Sequence, residues 1–80
     1  MRKTEIYFSV LAERDRQRDK FGDEPLSTPI EFVSILGEEF GEVCRAVNQN
    51  NKPELEREVI QCIAVLFAWL ERDLHFGKAK

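Results

Sequence analysis

Two stretches of this chain repeat one apolar step. Phe32, Leu36, Glu39, Val43 and Ala46 are spaced by 4, 3, 4 and 3 residues, and Leu55, Val59, Cys62, Leu66 and Trp69 follow the same series. This spacing returns side chains to one helix face turn after turn and does not suit a strand, whose period is two. Two helices with inward seams are therefore the framework that any fold of the chain must satisfy. Ile60, Ile63, Val65, Phe67 and Leu70 make the later segment apolar over far more than one stripe. Such a helix is expected to be enclosed on several sides.

The punctuation agrees with an all-α fold of three helices. A first segment, from about Thr4 to Lys20, places Ile6, Val10 and Leu11 on one face and then becomes the charged run ERDRQRDK, whose residues cannot be core. The connection FGDEPLSTP has two prolines and a glycine and reads as an irregular loop. At its end, Thr28 is an N-cap, Pro29 suits the first helical position and Glu31 completes a capping box, so the second helix starts there. The run NQNN from Asn48 breaks that helix, and Asn51 or Lys52 caps a third. Gly77 is the expected stop of the third helix, with Lys78 and Lys80 suited to the negative end of its dipole.

At 80 residues the chain is one domain, 1–80, which buries only roughly 60 to 65% of its unfolded surface. A domain of this size usually needs a disulfide network, a structural metal or a partner chain. Cys44 and Cys62 cannot make a framework, and no Cys or His pair falls at zinc-finger spacing, which leaves self-association. A homodimer in which the second and third helices of two chains form a four-helix bundle, with the first helix outside, meets that need; a tetramer meets it as well. The net charge of −3 argues against nucleic acid and membrane surfaces as partners. With no run of about 18 apolar residues and no cleavage signal after the basic start, the expected compartment is the cytoplasm, with both cysteines reduced.

Chemistry is suggested by acids on apolar faces. Glu39 lies on the inward seam, Glu42 follows one turn on, and Glu38 flanks them; Glu58 falls between Leu55 and Cys62 with Gln61 beside it. An ionised carboxylate withdrawn from water costs several kcal/mol unless it is compensated. Arg45 and Arg57 belong to the outer sides of their helices and are not suited to an internal role. A divalent cation is, because Mg2+ takes oxygen ligands and is held by one or two carboxylates together with waters and substrate phosphates. The plain alternative is a solvated helix face. Gly37 and Gly41 weigh against it, since each costs about 1 kcal/mol relative to Ala within a helix, which points to a close approach to the backbone there, the third helix being one candidate.

These residues resemble the MazG-like all-alpha nucleoside triphosphate pyrophosphohydrolases. ERDRQRDKFG is similar to the ERxxQxxKWG segment of short members, LGEEFGEVCRAV to their ExxE helix, and ELEREVIQCIAVLFAWLE to their ExxD helix and its apolar tail. The resemblance implies Glu39 and Glu42 as ExxE ligands and Glu58 as the first residue of ExxD, with Glu38 in an outer or second-metal position. The final aspartate of ExxD is replaced by Gln61, which can offer a carbonyl oxygen but removes a charge, and the tryptophan is replaced by Phe21. It implies hydrolysis of a nucleoside triphosphate to a monophosphate and pyrophosphate with Mg2+ or Mn2+, attenuated by Gln61. Lys20, Arg14 and Arg18 would meet the phosphates, and Gln17 and Phe21 the base or sugar. The competing function is a nucleotide-binding or regulatory helical oligomer without turnover; a purely structural oligomer is a third. His75 reads as a helix-end residue, both cysteines as small core residues, and Trp69 and Phe67 as packing.

Overall fold

Thr28 fixes the start of one helix by the reciprocal bonds of a capping box. Its hydroxyl accepts from the Glu31 N–H at 3.3 Å, and the Glu31 carboxylate accepts from the Thr28 N–H at 3.1 Å. The computed structural model describes the backbone of residues 1–22 and 28–79, and the side chains of these except residues 21 and 73–79. Three helices make up the described chain, α1 (Lys3–Phe21), α2 (Pro29–Asn48) and α3 (Lys52–Ala79), and no strand occurs among the described residues. The loop expected before Thr28 lies mostly outside them, as do the side chains of Phe21, His75 and Lys78, and Lys80.

Between α2 and α3 the chain reverses in three residues. The Gln49 N–H bonds to the Arg45 carbonyl at 2.9 Å, the Asn51 N–H reaches back to the Ala46 carbonyl at 3.0 Å, and Asn50 adopts the left-handed φ of 53° that asparagine tolerates. Asn51 is the cap of α3, its side-chain oxygen accepting from the Glu54 N–H at 3.2 Å. Pro53 then falls in the first turn, where a missing N–H leaves no bond unmade. α1 closes at Gly22, whose φ of 91° suits a residue without a Cβ. The expected stop at Gly77 does not occur, and α3 continues to Ala79. Glycine weakens a helix by entropy but keeps its N–H donor, so it permits a stop without forcing one.

α3 is the central element. α2 and α1 each pack against it rather than against each other. The buried apolar residues are Val10 of α1, Phe32 and Ala46 of α2, and Ala64 and Val65 of α3. Phe32 and Trp69 lie nearly parallel, ring centres 5.6 Å apart, which makes Trp69 a packing residue and ties the start of α2 to the later part of α3. The α2 seam faces inward as its spacing requires. On α3 the expected seam is turned: Val59 and Leu66 are 40% and 43% exposed, while Glu58, Ala64 and Val65 are buried. The cause is that α3 serves two neighbours, so its buried arc is displaced toward the side that α1 also covers.

Two further expectations change. The charged half of α1 is not fully solvated, because the Glu13 and Arg14 side chains are only 12% exposed, and Arg14 reaches across to Glu71 on α3 at 3.0 Å. Long polar side chains cover an apolar neighbour with their stems and keep their heads paired or wet. Cys44 is exposed rather than a core residue, and Cys62 is half-buried. A Cβ placed on Gly37 or Gly41 would meet no atom within 4 Å, so no described part of the chain approaches either glycine closely. No helix is long and apolar enough to cross a membrane among the described residues.

Candidate functional site: a carboxylate pair bridged by Gln61

The inward seam of α2 brings Glu39 to α3 at the level where Glu58 and Gln61, three residues apart, point back. Glu58 is 7% exposed and Glu39 is half-buried. The Gln61 amide is oriented with its NH2 toward the two acids, since the opposite orientation would turn its oxygen onto acceptors alone. The NH2 then donates to Glu58 Oε2 at 2.9 Å and to Glu39 Oε2 at 2.6 Å. Gln61 therefore meets the acids as a donor and not through the carbonyl oxygen expected of a metal ligand.

Burial raises the Glu58 carboxyl to about 7, assisted by a hydrogen bond with Glu54 and by the negative charge of Glu39. Burial also raises Glu39, and the charges of Glu13, Glu42 and Glu38 act in the same direction, while a hydrogen bond from Glu58 opposes them. Of the two acids, Glu58 is therefore the one that keeps its proton to higher pH. The Cys62 thiol is raised by burial and then by the same two acids, so it stays a neutral thiol. Among the described residues, no Lys or Arg forms an ion pair with Glu39 or Glu58.

The other sequence-derived candidates are more dispersed. Glu42 is half-buried and turned to Arg45, with which it pairs at 3.1 Å, and Glu38 is exposed. Arg57 likewise pairs outward, with Glu54 at 2.9 Å. On α1, Gln17 is half-buried and joins a chain of contacts, accepting from Arg14 at 3.2 Å and donating to Glu13 at 3.3 Å. Arg18 and Lys20 are exposed, Arg18 pairing with Asp15, and the Phe21 side chain lies outside the described residues.

Three groups near the acid pair were not singled out from the sequence. Glu54 precedes Glu58 by four residues, the helical distance for contact, but reads first as a first-turn acid. Glu13 sits in the field of Glu39 and holds Arg16 by bonds of 2.6 and 2.9 Å. Arg16 is raised by that bond, and the charge of Glu39 adds to the effect. The readable signal was the four-residue step from Glu13 to Gln17, which puts both on one face of α1.

Carboxylate oxygens that repel one another and share a proton suit a hard divalent cation in their donor chemistry, because such an ion replaces the proton and stabilises both charges. Glu39 and Glu58 fit that role. Among the described residues, no three His, Cys, Asp or Glu side chains are grouped closely enough to hold an ion. With Glu42 held by Arg45, the remaining ligands of a cation in this arrangement would be waters and substrate oxygens. No protein-family model, curated protein or solved structure matches the chain.

Proposed function

We propose that the chain is a metal-dependent nucleoside triphosphate pyrophosphohydrolase of the MazG-like kind, acting as a homo-oligomer with Mg2+ or Mn2+. The observation that carries this reading is the meeting of Glu39 and Glu58 between α2 and α3, from the two segments whose sequences resemble the ExxE and ExxD helices. Glu39 and Glu58 would hold the ion, with Glu42 and Glu38 as further ligands once Glu42 leaves Arg45. A bound divalent ion supplies charge neutralisation of the phosphates and polarisation of water. The chain's own part is to keep water away from one side of the acids, through the α2–α3 packing, and to hold a proton on Glu58 until a cation displaces it. Gln61 orients both carboxylates by donating to them. Arg14, Gln17, Arg18, Lys20 and Phe21 are assigned to the triphosphate and its nucleoside on the strength of the resemblance.

The oligomer of this reading joins α2 and α3 of two chains into a four-helix bundle, in a dimer or a pair of dimers. The small number of apolar side chains buried among the described residues supports it. Cytoplasmic residence belongs to the same reading.

A second reading has its own support. Because the Gln61 NH2 spans both carboxylates, a neutral donor already occupies the bridging role that a cation would take, as in a nucleotide-binding or regulatory oligomer without turnover. Calorimetry with Mn2+, a nonhydrolysable triphosphate and the two together, set beside pyrophosphate release from natural triphosphates, separates the readings. Pyrophosphate release supports the enzyme; nucleotide binding without release supports the regulatory oligomer; neither metal nor nucleotide binding removes both.

A further inference from the structure

α2 carries a second apolar stripe that the described chain leaves uncovered. Ile30, Val33, Gly37, Phe40, Cys44 and Val47 step by 3, 4, 3, 4 and 3. At about 100° per residue they lie roughly 110° round the helix from the inward seam. All six are exposed, Phe40 at 61%. Because α2 and α3 form a tight antiparallel hairpin, Val59, Leu66 and Leu70 of α3 fall on the same side of the pair, and α1 covers the opposite flank of α3. The face is thus continuous across both helices, and the Glu39–Gln61–Glu58 cluster lies on its far side, toward α1.

We infer that this face is covered by a second copy of the chain, the two α2 helices crossing antiparallel with Phe40 of each seated over Gly37 of the other. The inference rests on the homo-oligomer of the proposed function and specifies its interface; it does not depend on the hydrolase activity. Two features of the stripe select a second copy. First, the order of the six residues is complementary to itself when reversed: a two-fold axis between residues 38 and 39 sets Ile30 against the partner's Val47, Val33 against the partner's Cys44, and Gly37 against the partner's Phe40. An isologous contact requires this reciprocity. The largest side chain of the stripe then meets the only position without one, where space is open to at least 4 Å around a notional Cβ. That arrangement is a knob entering a hole, and it gives Gly37 the close approach that its own chain does not supply.

Second, the area suits a stable dimer. Ile30, Val33, Phe40 and Val47 with Val59, Leu66 and Leu70 are each about two-fifths to three-quarters exposed. At roughly 100 Å2 of accessible surface apiece they present on the order of 700 Å2, close to the roughly 800 Å2 that one partner contributes to a standard interface. All charged residues of α2 lie off the stripe.

Site-directed crosslinking of the full chain, beside sedimentation of the unmodified protein, tests the register. In the antiparallel pairing, Val33→Cys places a thiol opposite the partner's Cys44, and mild oxidation is expected to link most of the protein as a covalent dimer through those two positions, identified by peptide mass. The unmodified chain is expected to sediment as a dimer without linking Cys44 to the partner's Cys44, because those two are offset by eleven residues, about 16 Å along the axis, beyond disulfide reach. Gly37→Leu adds a side chain whose Cβ starts in open space and whose bulk fills the notch, so it is expected to retain helical circular dichroism and weaken dimerisation at least tenfold. A dimer that forms no Val33→Cys link, or that links Cys44 to Cys44, overturns this interface and leaves the homo-oligomer standing. An unmodified chain that stays monomeric at every concentration overturns both.

Discussion

Gln61 stands between two carboxylates that would otherwise repel, and the proton on Glu58 completes the arrangement. Because the folded chain holds Glu58 near 7 and an unfolded one near its ordinary 4.5, the folded state binds the extra proton between those values. Stability without metal is therefore fully present below about pH 4.5 as far as this group is concerned, and is lost as pH rises toward 7, at up to about 1.4 kcal/mol per pH unit. Glu39 is raised too and acts in the same sense. Urea unfolding at a series of pH values reads the slope, and Glu58→Gln should flatten it. A second expected outcome concerns Gln61→Asp, which removes the bridging donor and adds a third acid: the metal-free protein should lose about 1 to 3 kcal/mol, and Mn2+ affinity by calorimetry should rise. Glu39 and Glu58 were legible in the sequence because each interrupts or borders an apolar spacing. Glu13 was not, since a glutamate inside ERDRQRDK looks like any other solvated charge until α1 is laid on α3.

At the scale of elements, caps were the most readable feature. Thr28 and Glu31 announce α2 by spacing alone, and Asn51 was one of two residues able to cap α3; the bond to the Glu54 N–H selects it. Asn51→Ala should lower stability by about 1 kcal/mol, measured as a fall in the urea midpoint without change in the slope. The rotation of α3 was less readable. Its sequence is apolar over so wide an arc that Val59 and Leu66 fit a seam as well as Ala64 and Val65 do, and only the position of α1 decides between them. The polar half of α1 shows the same dependence, because Arg14 becomes enclosed through a partner, Glu71, that lies 57 residues away in sequence.

As a whole molecule the chain is long and thin, with extents of 44 × 26 × 21 Å and a radius of gyration of 13.5 Å, against about 12 Å for a compact domain of this length. Among the described residues, three helices laid side by side bury few apolar side chains and leave one broad face open. A protein stabilised by covering that face has a stability that depends on its concentration, so the thermal midpoint should rise as the protein is concentrated and should do so less for Gly37→Leu. Sequence length, with too few cysteines for a framework and no zinc-finger spacing, pointed to self-association. It did not show that the acids and the open face would lie on opposite flanks of α3, which lets the interface be altered without disturbing the acid pair. The proposed service of the acid pair in pyrophosphohydrolysis is checked by measuring pyrophosphate released from a panel of nucleoside triphosphates with Mg2+ or Mn2+, for the unmodified chain and for Glu39→Gln. Equal amounts of monophosphate and pyrophosphate from at least one triphosphate, lost in a Glu39→Gln protein that keeps its helical content, is the predicted result; a folded, unmodified chain that releases none, or a variant that releases it at the same rate, would contradict it.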